Sequence, residues 1–140
     1  MKLKIIVILL LSAINAFAES PKIFGLWKTE AGNGQVLIQL KEDGTLVGLG
    51  AGGGDPNRKD DNNSDPELRG RKLDGAQISW GFKPDSEDST EWAGGNIYDP
   101  DNGKTYSCKM KLDGDVLKIR GYVVIPLFGR TTVWTRVKSP

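Results

Sequence analysis

No histidine occurs in this 140-residue chain, and the only cysteine is Cys108. The first absence excludes Ser-His-Asp and Cys-His catalysis together with histidine-ligated zinc. The second excludes an internal disulfide. An excess of one charge is lacking as well: 19 Lys and Arg stand against 18 Asp and Glu. A chain so balanced has no electrostatic reason to seek nucleic acid or an anionic lipid surface. No segment carries the 3.6-residue apolar period of an amphipathic helix. Long apolar runs are missing too, except at the start of the chain.

That exception predicts an export signal. Lys2 and Lys4 precede the apolar residues 5–11, which continue through Ala13 and Ile14. Ala16-Phe17-Ala18 then places small residues where a signal peptidase reads them. We expect a cleaved signal over residues 1–18, a single domain over residues 19–140, and delivery to the periplasm or beyond the cell. The run is shorter than the ~20 residues that cross a bilayer, so no membrane span is expected in the mature chain. Cleavage removes Lys2 and Lys4 and leaves 17 bases against 18 acids, a net charge of −1.

What is present after residue 18 is a period of two. Val36, Ile38 and Leu40 share a face, as do Ile78, Trp80 and Phe82, and residues 105–112 alternate with Lys109 and Lys111 outward. Strands are expected over residues 23–29, 35–40, 45–49, 76–83, 91–98, 105–112, 116–124 and 131–137. Turn signals separate them at the spacing of an all-β sandwich or barrel. Simple neighbour-to-neighbour order favours an all-β, up-and-down antiparallel barrel of about eight strands, because a Greek key needs a long return connection. The one long connection, residues 50–75, begins with Gly50, Gly52, Gly53 and Gly54, and a short helical turn is expected near residues 66–69.

In a meander every second connection falls at the same end. The connections after strands one, three, five and seven therefore share a rim, which gathers Asp61, Asn63, Asp65, Arg69, Arg71, Tyr98, Asp99, Lys104, Phe128 and Arg130. The other end receives plain turns and both mature termini. Cys108 falls on the apolar face with Tyr106 and Met110, which reads as a buried structural thiol. Two further readings of the acids stay open. Asp60, Asp61, Asn63 and Asp65 offer oxygens for weak calcium binding. A carboxylate pair such as Asp65 with Asp99 has the chemistry for general acid and base work on glycosides. Neither carries a catalytic or metal-binding motif, so no enzyme activity, cofactor or metal is expected.

At the plain end, Gly25-Leu26-Trp27 opens the first strand and Trp134-Thr135-Arg136 closes the last. This resembles the lipocalin and fatty-acid-binding (calycin) group, in which an indole from the first strand packs under an arginine from the last. A planar cation can stack over indole while donating to carbonyls, so Gly25, Trp27, Trp134 and Arg136 are assigned a structural, closed-end role. Residues 60–71, 92–106, 120–122 and 129–131, with Trp134 and Arg136, resemble the bacterial exported family catalogued as domain of unknown function 2147. Ser64 stands where that pattern has proline and Val124 where it has glycine. The resemblance implies a periplasmic or secreted lipocalin-like barrel without an assigned activity.

Two functions follow as expectations. The first is a carrier or sensor for a small lipophilic or amphipathic molecule inside the barrel. Trp80, Phe82, Tyr98, Tyr106, Met110 and Ile119 would form its wall, and Arg71, Arg120 or Arg130 would meet an anionic headgroup at the mouth. The second is a barrel filled by its own side chains, whose rim residues Asp61, Asn63, Asp65, Arg69, Asp99 and Lys104 bind a protein partner.

Overall fold

The computed structural model describes residues 23–85 and 88–138. The expected signal segment and its cleavage point lie outside the described residues. Eight strands follow one another: β1 (Gly25–Lys28), β2 (Gln35–Leu40), β3 (Leu46–Gly50), β4 (Gln77–Asp85), β5 (Asp88–Asp99), β6 (Lys104–Asp113), β7 (Val116–Tyr122) and β8 (Gly129–Arg136). Each pairs antiparallel with its sequence neighbour, and β1 closes against β8 to complete a barrel. Closure removes the open edges that an eight-stranded sheet would otherwise expose. The up-and-down barrel expected from the alternation is the one observed.

Several boundaries differ from expectation. β4 and β5 run on to Asp85 and from Asp88, so the polar loop expected over residues 84–90 is mostly strand. β7 stops at Tyr122, which leaves Val123 and Val124 outside the sheet and exposed. The long connection between β3 and β4 contains the expected short turn as a 3-10 helix, Pro66–Leu68, capped by the Asp65 carboxylate accepting from the Glu67 N–H at 3.0 Å. A second 3-10 turn, Pro126–Phe128, lies between β7 and β8.

Val36, Ile38, Cys108, Met110, Leu117, Ile119 and Trp134 all belong to one buried cluster inside the barrel. Cys108 has no exposure, and burial pushes its thiol pKa up to about 12. The predicted row of Ile78, Trp80 and Phe82 does not survive intact. Between the pairs Leu46↔Phe82 and Gly48↔Ser79 an extra residue sits on β4, and a second register shift follows before Leu49↔Gln77. Such bulges break alternation. Phe82 and Ile78 still pack into or against the core. Trp80 pairs with Asn96, the neighbour of inward Ile97 on β5, and therefore lies on the outer face.

The plain end is sealed as the closed-end motif requires. The wholly buried Trp27 donates its indole N–H to the Ile23 carbonyl at 2.9 Å. The Arg136 guanidinium lies 4.4 Å over the Trp27 ring and donates to the Phe24 carbonyl, the Gly114 carbonyl and the Asp115 carboxylate. Gly25 has φ 121°, a conformation side chains rarely adopt, which accounts for glycine two residues before the indole. Trp134 pairs with Leu117 and forms the floor of the space above.

Candidate functional site

With one end sealed, the open space lies towards the other. A cavity of about 510 Å³ reaches from the loop rim down to Trp134. Its wall is apolar at Val36, Ile78, Ile97 and Ile119. Its mouth is polar, with Glu30, Arg58, Asp99, Asp101 and Arg130. The volume falls in the ~300–1,000 Å³ range of small-molecule sites, and an apolar body with a few polar groups is their usual chemistry.

Three loops frame the mouth, and the parity argument holds: the connections after β1, β3 and β5 all contribute to its lining. Contacts between loops far apart in sequence tie the rim together. Arg58 makes an ion pair with Asp101 at 2.7 Å, and the Asn62 amide donates to the carbonyls of Pro100 and Asp101, each at 3.1 Å. Gly103 sits where any Cβ would collide with the Asn62 carbonyl, and its φ of 74° also favours glycine. The β1–β2 turn is held by Glu30, whose carboxylate accepts from the Val133 N–H at 3.3 Å.

The anchor of the long connection is Asp60, which has no exposure. Its carboxylate accepts from the Tyr98 hydroxyl at 2.6 Å, the Asn63 amide at 2.8 Å and the Arg71 guanidinium at 2.9 Å. Burial opposes the charged form, yet these three donors outweigh it and hold the carboxyl below its ordinary value. Burial and the adjacent Asp60 charge push the Tyr98 phenol up to about 12, so it remains the donor. Arg71 also lies 5.8 Å from the Tyr98 ring centroid, and Arg69 donates to the Asn63 carbonyl at 2.8 Å.

These contacts redistribute the residues expected to bind ligand. Tyr98, Tyr106, Ile119 and Arg130 line the cavity. Phe82 and Met110 are core residues that do not line it. Trp80 is on the outer face, as described above. Arg120 is also outside, because its neighbours Ile119 and Gly121 line the interior while it pairs with Lys109 and Thr131. Its guanidinium donates to the Pro126 and Leu127 carbonyls. Arg71 faces Asp60, not the cavity. Tyr98 contributes its ring to the lining while its hydroxyl is committed.

The rim residues divide in the same way. Asn63 is buried beneath the loop, against the expectation of an interaction surface. Asp65 caps the 3-10 turn, and Asp99 accepts from the Asp101 N–H within its own turn at 2.8 Å. Asp61, Asp65, Arg69 and Lys104 are exposed; Asp99, half-buried, lines the mouth. Of the oxygens offered for calcium, the Asp60 carboxylate is engaged by three donors and the Asn63 side-chain oxygen accepts from the Asp65 N–H. Sequence reasoning missed Arg58, Asn62 and Glu30, which close the rim through contacts no local pattern announces.

The match over residues 25–136 is to the family described as "Uncharacterized protein conserved in bacteria (DUF2147)". The chain belongs to this family. Its motif residues can now be given work: Asp60, Asn63, Arg69 and Arg71 of the first block fold the long connection onto Tyr98 of the second. Protein HP1028 from the human pathogen Helicobacter pylori, described as belonging to the lipocalin family, has a similar solved structure. It aligns with TM-score 0.74 and 21% identity over 85% of each chain, a likeness of fold. No curated protein matches the chain.

Proposed function

We propose that this DUF2147 protein is an exported, non-catalytic carrier or sensor that holds a small amphipathic molecule in its barrel. The observation that carries the reading is the cavity itself, with an apolar wall above Trp134 and Arg130 at its mouth. Arg130 is exposed and takes part in none of the ion pairs found among the described residues. A ligand with an apolar body and an anionic head satisfies both parts: the body displaces water from Val36, Ile97 and Ile119, and the head meets the free guanidinium. Export rests on the charged and apolar pattern of residues 1–18.

The test is a pair of titrations followed through tryptophan fluorescence, since Trp134 lines the cavity. Long-chain alkyl carboxylates and their methyl esters would be compared on the wild type and on Arg130→Gln. The carboxylate should bind the wild type about tenfold more tightly than the variant, as expected for one charge-assisted contact. The ester should not distinguish them. Equal binding of carboxylate to both proteins would remove Arg130 from the site, and absence of any response to either compound would remove the carrier reading.

A further inference from the structure

We propose that the β7–β8 connection is a membrane-contact tip, seating the open rim of the barrel on an anionic lipid surface. Val123, Val124, Leu127 and Phe128 are each more than 70% exposed, and Ile125 is 43% exposed. Scattered surface hydrophobics are ordinary, but five in one six-residue connection are not. An exposed apolar cluster of this kind marks a contact surface.

Two further features fit a lipid environment. The tip satisfies backbone groups internally: the Phe128 N–H donates to the Ile125 carbonyl, and Arg120 donates to the Pro126 and Leu127 carbonyls. Pro126 brings no N–H at all. A segment entering the headgroup region gains from having few backbone groups that need water. The charges on the tip's own two strands are also of one sign. From Val116 onward the chain contains no acid, while Lys118, Arg120 and Arg130 flank the tip and Lys109 pairs across from Arg120. The acids of this rim lie on the β1–β2, β3–β4 and β5–β6 connections, and of these Glu30 reaches β8 at the Val133 N–H. Overall neutrality thus conceals a hairpin with a basic stem and an apolar tip, a combination that binds anionic bilayers. The inference does not depend on what the cavity holds.

The test places an environment-sensitive fluorophore at Leu127→Cys in one protein and at Leu40→Cys in another. Leu40 is also exposed, at the end of β2 beside the opposite rim. Cys108, being buried, does not compete for the label in the folded protein. Vesicles of phosphatidylglycerol and phosphatidylethanolamine, carrying acyl-chain nitroxides, are then added. The label at position 127 should shift to the blue and be quenched, the label at position 40 should do neither, and added salt should weaken the effect. In the unlabelled chain, Phe128→Ser should lower vesicle co-sedimentation roughly tenfold through its lost apolar burial. Equal quenching at both positions, or none at position 127, overturns the proposal. A lipid-independent blue shift that grows with protein concentration also overturns it and assigns the tip to self-association.

Discussion

At Asp60 a wholly buried carboxylate stays charged because three side chains donate to it, and the loop that carries it is ordered by the same bonds. Tyr98→Phe removes the shortest of them. We expect it to destabilise the fold by about 1.5–3 kcal/mol, the usual worth of a hydrogen bond to a charged group, and to leave the cavity wall intact; urea unfolding measures the first. The folded Asp60 pKa is lowered, so its stabilisation is complete above the unfolded value near 4 and is lost as pH falls through the folded value. Asp60→Asn should accordingly flatten the acid limb of the stability curve, and an unchanged limb would show that other carboxylates control it. Tyr98 has the opposite sign: its contribution is present below pH 10 and disappears as pH rises towards about 12. Residue-scale chemistry was only partly legible in the sequence. Alternation placed Cys108 inside, and its thiol should resist labelling at pH 8 until denaturant is added. The pairing of Asp60 with Tyr98 spans 38 positions, and no local pattern encodes it.

The strands themselves were readable because the period-two pattern is local and glycine, asparagine and aspartate mark the turns between them. Bulges were not, since a register shift belongs to a pair of strands and not to either sequence alone. That is why Trp80, which alternates perfectly with Ile78 and Phe82, ends on the outer face once β4 carries its extra residue. The long connection begins with Gly50, Gly52, Gly53 and Gly54, yet it is tied to the β5–β6 turn through Arg58, Asn62 and Gly103. Gly103→Ala introduces both positive-φ strain and a collision with the Asn62 carbonyl. A cost of about 1–3 kcal/mol is expected, with new protease cleavage inside residues 51–76 while the remaining barrel resists. Cleavage unchanged from wild type would mean that the connection is held elsewhere. At the seam between β1 and β8 only two residue pairs are in register, so Arg136 bears much of the closure. Arg136→Lys loses the planar stack over Trp27 and should lower the thermal midpoint more than the same change at Arg69.

For the molecule as a whole, closure of the barrel leaves one sealed end and one open end, and the rim predicted from strand parity is where the cavity opens. The barrel architecture and its polarity were thus legible in the sequence. Whether its interior was filled or hollow was not, because that depends on side-chain volumes summed across all eight strands. The hollow is what separates a carrier from a barrel that serves only as a platform. Native mass spectrometry of the purified protein, run beside the denatured sample, addresses that distinction most directly. The account predicts a bound small molecule that appears as extra mass in the native spectrum, disappears on denaturation and is reduced in the Arg130→Gln protein. An unliganded native mass that stays unchanged after incubation with long-chain carboxylates would contradict it.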